Sequence, residues 1–317
     1  MPTLTTPCLP RRSVLAAVLA AALIAPAARA QTTPQKPALF LIGDSTMRNG
    51  SKDNGATAGQ FGWGHMLHYY FDTSRIDVVN DAMGGTSSRS FQTSPNLWPN
   101  VLRMIRPGDY VLMAFGHNDS RATLRGNGDE TGPAPAPPAK TTTGATPGQP
   151  GTALTAGAQP AEVHSFGWYM RQYIEQVKAM GATPIVLSLI PRNRWSDGKV
   201  NRNDEDYALW ARQAAEQEHV AFIPLNAMIA DRYDTLGQAR VQAELFPPNE
   251  AVHPNWAGAT LNASLVVEGI KALDTPLKTY LLADPQVPAT PDVVPPAVGE
   301  MGPPAMAPTS RTPDPAD

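Results

Sequence analysis

Residues 38–46 read Ala-Leu-Phe-Leu-Ile-Gly-Asp-Ser-Thr. A short, continuously apolar run that ends in Gly43-Asp44-Ser45-Thr46 has the form of a buried strand followed by a turn. The same form returns along the chain. Ile76–Val79 ends in Asn-Asp-Ala-Met-Gly-Gly, and Tyr110–Phe115 ends in Gly-His-Asn-Asp. Pro184–Ile190 and Val220–Ile223 complete five candidate strands. Between them the spacing predicts helices over Gly62–Phe71, Trp98–Ile105, Val163–Met180 and Asp204–Glu218, with a last helix over Asn255–Ala272. Strands that are apolar throughout and alternate with helices imply an α/β domain, a three-layer α/β/α arrangement around a five-stranded parallel sheet. Ligands of such sheets bind beyond the C-terminal ends of the strands. Three of those ends carry polar clusters: Asp44-Ser45, Gly84-Gly85 and His117-Asn118-Asp119.

The rest of the chain is organised around that domain. Of 33 prolines, 6 lie in residues 1–37, 7 in 126–160 and 10 in 285–317, so the folded part is smaller than the 317-residue chain. Residues 1–30 read as a secretory signal. Arg11-Arg12 precede the apolar stretch Val14–Ile24, and Ala28-Arg29-Ala30 forms a cleavage site before Gln31. The arginine pair fits either export route. The apolar run is short of the ~20 residues that a membrane span needs. Cys8, the only cysteine, lies in this signal, so the processed protein has no thiol, no disulfide and no Cys-ligated metal. The destination is the periplasm or the medium, with no membrane contact after cleavage. Residues 31–37 read as a linker, 38–284 as the domain, 126–160 as a Pro/Gly/Thr-rich surface insertion within it, and 285–317 as a disordered tail. With 25 Lys and Arg against 28 Asp and Glu, the net charge of −3 offers no basic excess for nucleic acid.

Taken singly, the polar clusters are ambiguous. Ser45 reads equally as an exposed nucleophile or as a helix N-cap. Gly85 suits a backbone N–H facing a ligand, or an ordinary tight turn. Asn118 could donate its side-chain amide to an oxyanion or bond its own backbone as a turn residue. His253, just ahead of the last helix, could swing toward a distant serine, with Glu250 holding its other ring nitrogen; a surface histidine with a solvated glutamate is the alternative. His65 and His68 have a metal-like spacing but no nearby third ligand. Phe61, Trp63, Trp195 and Trp256 are candidates for sugar stacking or for core.

Together, GDSTM at Gly43–Met47, NDAMGGTSSRSF at Asn80–Phe91, FGHND at Phe115–Asp119 and EAVHPNWAGA at Glu250–Ala259 resemble the SGNH (GDSL-type) hydrolase superfamily, and within it the rhamnogalacturonan acetylesterase family. The resemblance spans residues 38–272 and implies a flavodoxin-like SGNH hydrolase fold. It implies Ser45 as nucleophile and His253 as general base and acid. The Ser45 and Gly85 N–H groups with the Asn118 side chain would form the oxyanion hole. The family pattern has Asp three residues before the histidine. Glu250 stands there in this chain, keeping the carboxylate and adding a methylene. The expected activity is deacetylation of plant polysaccharide such as pectin by a monomer that needs no metal or cofactor. A lipid or aryl esterase on the same scaffold and a non-catalytic glycan-binding relic are the rivals.

Overall fold

The computed structural model describes residues 36–48, 59–120, 131–132 and 163–291. The signal expected at 1–30, nearly all of the 126–160 insertion and the tail beyond 291 lie outside the described residues. In chain order the elements are β1 (Ala38–Gly43), α1 (Trp63–Met66) continued by a 3-10 turn over Leu67–Tyr69, β2 (Asp77–Asn80), α2 (Ser88–Thr93), α3 (Trp98–Met104), β3 (Tyr110–Ala114), α4 (Phe166–Ala179), β4 (Thr183–Leu187), α5 (Tyr207–Gln217), β5 (Ala221–Ile223), α6 (Leu225–Leu236), α7 (Gln238–Glu244) and α8 (Trp256–Ala272). Two further two-residue ladders join Thr131–Gly132 to Val163–His164 and Trp195–Ser196 to Lys199–Val200.

The five strands form one parallel sheet in the order β2-β1-β3-β4-β5. Leu39 lies beside Val78 on one side and Tyr110 on the other, and Met113 lies beside Val186. Alternation along the strands divides the core in two. Leu39, Leu41, Leu112, Ile185 and Leu187 face α1, α6 and α8; Phe40, Ile42, Val111, Met113 and Val186 face α2, α3, α4 and α5. All ten of these strand side chains are fully buried. That is why the strands read as unbroken apolar runs: neither face sees water. Truncating Phe40 to alanine would cost about 3–5 kcal/mol. The strand order reverses between β1 and β3, and a crevice opens beyond their C-terminal ends.

The three-layer fold expected from the strand pattern is the one observed. Several element limits differ for identifiable reasons. The Val163–Met180 helix starts at Phe166, because the Ser165 hydroxyl accepts the Trp168 N–H as N-cap while Val163 and His164 pair with 131–132. The helix expected over Gly62–Phe71 tightens to a 3-10 turn after Met66. Helices α2, α6 and α7 were not anticipated, although Leu225, Ile229, Ala230 and Tyr233 of α6 are buried at helical spacing. Past residue 284, Val287 packs on the core and the Trp256 indole N–H donates to the Pro288 carbonyl at 2.7 Å. Among the described residues, no helix is long and apolar enough to cross a membrane.

Candidate active site

Strand β1 ends at Gly43, and the chain turns at once. The Met47 and Arg48 N–H groups both reach back to the Asp44 carbonyl. Asp44 supplies the side-chain cap of this turn, its Oδ1 accepting from the Thr46 N–H at 2.9 Å and the Thr46 hydroxyl at 2.8 Å. Asp44 therefore does the capping that Ser45 might have done. The Ser45 Oγ lies instead 2.8 Å from Nε2 of His253, a residue 208 positions away. Ser45 itself is 95% buried.

His253 sits in the loop between α7 and α8. Asn255 caps α8 by accepting the Gly258 N–H, which fixes the histidine three residues before the helix begins. The loop starts with Asn249 at φ +63°, a left-handed conformation that asparagine tolerates better than most residues. Glu250 then folds back over it. Its Oε1 accepts the N–H groups of Val252 (2.7 Å) and His253 (3.2 Å). Its Oε2 accepts the Gln60 amide at 2.6 Å and stands 3.4 Å from His253 Nδ1, an ion-pair separation a little beyond hydrogen-bond length. Burial pushes the Glu250 carboxyl up, but the two backbone donors and the imidazole outweigh it and hold the group below the usual carboxylate range. It stays ionised at neutral pH. With a carboxylate at Nδ1, the neutral ring carries its proton there and leaves Nε2 to accept from Ser45.

Two neighbouring segments hold this pair in place. Trp63 N–H donates to the Thr46 carbonyl and Phe61 N–H to the Pro254 carbonyl. Residues 60–63 thus bridge the Ser45 turn and the histidine loop, and Gln60 rides on that bridge. A side chain at Gly62 would sit 1.6 Å from the Arg48 carbonyl oxygen, so the close approach admits only glycine. On the other flank, Asn193 N–H donates to the Ala251 carbonyl at 2.8 Å and its amide to the Glu250 carbonyl at 3.4 Å.

Gly85 and Asn118 occupy the turns after β2 and β3. Gly85 is exposed at φ +80°, a conformation that any residue with a Cβ enters at a cost. The turn is held by Thr86, whose hydroxyl reaches the carbonyls of Met83 (2.8 Å) and Gly43 (3.3 Å). The Asn118 amide donates to the Thr86 carbonyl at 3.0 Å, so it is tied to the Gly85 turn and keeps a second N–H. Asp119 makes a parallel tie. Its Oδ1 accepts the Ser88 N–H at 3.0 Å and the Ser88 hydroxyl, and the Ser88 carbonyl accepts from the Tyr173 hydroxyl. Burial pushes the Asp119 carboxyl up to about 7, against the pull of the Ser88 donors.

The structure therefore brings Ser45, His253 and Glu250 together, and it links Asn118 to the turn that carries Gly85. Gln60, Thr86 and Asn193 were not singled out by sequence, and Asp119 only as a member of the polar cluster after β3. Their partners lie 31 to 190 residues away, and only the coordinates join them. Phe61, Trp63 and Trp256 are buried in the core, which leaves Trp195 as the half-buried member of the four aromatic candidates. His65 and His68 pack edge-to-face, with His68 Nδ1 donating to the His65 carbonyl. Among the described residues no three His, Cys, Asp or Glu side chains gather as metal ligands.

Comparison with known proteins gives the family of the chain. Residues 41–261 match the model of the GDSL-like lipase/acylhydrolase family. The chain is 27% identical over 253 residues to a rhamnogalacturonan acetylesterase of Emericella nidulans, covering 77% of this chain and 86% of that one. It is 26% identical to a probable rhamnogalacturonan acetylesterase, YesY, of Bacillus subtilis, covering 78% and 98%. The crystal structure of the Bacillus subtilis protein YxiM superposes with a TM-score of 0.56 at 26% identity, over 74% of this chain and 56% of that one. The chain belongs to the GDSL-like lipase/acylhydrolase family and is an ester hydrolase of the SGNH type.

Proposed function

We propose that this chain is a secreted serine esterase that removes acetyl groups from plant cell-wall polysaccharide, rhamnogalacturonan above others. The observation that carries the mechanism is the 2.8 Å contact between Ser45 Oγ and His253 Nε2, with Glu250 on the opposite ring nitrogen. His253 takes the serine proton as Oγ attacks the ester carbonyl. The carbonyl oxygen gains charge and is received by the N–H groups of Ser45 and Gly85 and the free N–H of the Asn118 amide. His253 returns the proton to the departing sugar hydroxyl. Water, activated by the same ring, then releases acetate from the acyl-serine. Glu250 touches no reacting atom; it fixes the tautomer and stabilises the imidazolium.

The acetyl-polysaccharide part rests on the fungal and bacterial relatives, whose names state that substrate. The pocket at the turn after β3 also supports it: apart from Leu189 and Tyr207 its side chains are polar or charged, Arg192, Arg194, Asn201, Asn203 and Asp206 among them, which suits a sugar better than a lipid tail. Secretion rests on the signal-like residues 1–30. Acetate release should be measured side by side from acetylated pectin, acetylated xylan and p-nitrophenyl acetate. Turnover of the pectic substrate above the other two supports the reading. Turnover of long-chain acyl esters in preference to all three overturns it.

A further inference from the structure

The histidine loop runs into α8 at Trp256, and this tryptophan is tied to a part of the chain that the hydrolytic steps above do not involve. Its indole N–H donates to the Pro288 carbonyl at 2.7 Å. An indole nitrogen can only donate, and burying one without an acceptor is costly, so the Pro288 carbonyl selects the orientation of the ring. The ring belongs to a residue that is 7% exposed. It meets Phe61 edge to face at 5.2 Å between centroids, with His65 at 5.9 Å and Tyr69 at 6.3 Å. Phe61 is gripped twice: its ring by Trp256, and its N–H by the Pro254 carbonyl at 2.8 Å. Gln60, its neighbour in the chain, donates to Glu250 Oε2. A line of contacts therefore runs from Pro288 through Trp256, Phe61 and Gln60 to the carboxylate that faces His253.

The segment that carries Pro288 is anchored on its own account. Asp72 N–H donates to the Tyr280 carbonyl and Leu282 N–H to the Tyr70 carbonyl, both at 2.8 Å, and Phe71 pairs with Leu281. Leu281 and Val287 pack on the core layer that faces α1 and α8. Pro285 and Pro288 restrict the backbone between these anchors. Residues 281–288 thus form a strap laid between residues 70–72 and the first residue of α8. We propose that Trp256 is a positioning residue for the ester hydrolysis, and that the strap, by fixing its indole, holds the histidine loop where Glu250 and His253 meet. The proposal rests on the esterase reading above and extends the machinery of that site to the C-terminal strap.

The test uses the full chain and p-nitrophenyl acetate. Trp256→Phe keeps a ring against Phe61 and removes the N–H. It should lower kcat by about three- to tenfold, on the scale of one hydrogen bond, with KM nearly unchanged. In a Glu250→Ala background, where no carboxylate is left to position, the same change should cost less than about twofold. Val287→Asp sets a charge against the core and should release the strap, lowering kcat by a similar factor. It should also speed hydrogen exchange at the Val252 and His253 amides, which donate to Glu250 Oε1 at 2.7 and 3.2 Å. Thr290→Asp, exposed beyond the strap, should change neither. The proposal is overturned if Trp256→Phe and Val287→Asp leave both kcat and the exchange of these amides as in wild type. It is equally overturned if Trp256→Phe costs the same with and without Glu250, which is the mark of general packing. Should the wild-type protein fail to hydrolyse the ester, the esterase reading fails, and amide exchange alone decides whether the strap holds the loop.

Discussion

Glu250 offers the sharpest test of how the site is held. Its carboxylate faces donors on both oxygens: the Val252 and His253 N–H groups at Oε1, and the Gln60 amide and imidazole Nδ1 at Oε2. A carboxylate can accept on both sides. The amide of Glu250→Gln can accept on one only, so either orientation sets an NH₂ against donors. At 3.4 Å a unit charge pair is worth about 5 kcal/mol at an effective dielectric of ~20 and about 1 kcal/mol at ~80. The two side chains are 14% and 20% exposed, which places the pair nearer the first limit. Loss of the charge that stabilises the imidazolium should therefore lower kcat roughly 10²- to 10³-fold, less than Ser45→Ala. Glu250→Asp keeps the charge with a shorter reach and should stay within about tenfold of wild type. The assay is p-nitrophenyl acetate hydrolysis under saturating substrate, with thermal unfolding measured in parallel to show that the loop is intact. A folded Glu250→Gln protein whose kcat is within threefold of wild type would refute the reasoning.

Three further outcomes follow from the same contacts. Asn118→Ala removes the proposed oxyanion donor and the tie to Thr86, and kcat should fall roughly 10²- to 10³-fold with little change in KM. Gln60→Leu removes a donor from Glu250 Oε2, and steady-state kinetics should show a three- to tenfold loss in kcat, on the scale of one hydrogen bond to a charged group. Asp119 titrates near 7 in the fold and near ~3.9 in the unfolded chain, so its contribution to stability is present below about pH 4 and lost as pH rises through about 7. Asp119→Asn removes that dependence, so the advantage of wild type over the variant in unfolding free energy, read from urea titrations, should shrink by a few kcal/mol between pH 5 and pH 8; parallel curves would contradict the buried, late-titrating carboxyl.

The sheet was legible in the sequence because β1, β3 and β4 are covered on both faces, and their apolar runs have no polar interruption until the turn residues begin. The same punctuation placed Ser45, Gly85 and Asn118 at strand ends. His253 and Glu250 were legible only as a spacing ahead of a helix. What remained hidden depends on distance along the chain. Gln60 is one polar residue in a loop, and nothing near it in sequence indicates a partner at position 250. Asp119 reads as part of a turn, yet its carboxylate is fully buried against Ser88. Helix α6 follows Pro224 and α7 follows Gly237, neither with a side-chain cap, so the usual start signal is missing even though the buried spacing of α6 is regular. Arg192 and Arg194 look like solvated charges until Asn193 is seen to bind the histidine loop between them.

The central claim is that the Ser45 hydroxyl, activated by His253, is the attacking group. A serine-reactive phosphonate followed by peptide mapping tests it most directly. The account predicts stoichiometric modification of Ser45 in the wild-type protein, greatly slowed in a folded His253→Ala variant and absent in Ser45→Ala together with esterase activity. Modification at another residue, or a Ser45→Ala protein that still releases acetate at the wild-type rate, would contradict it.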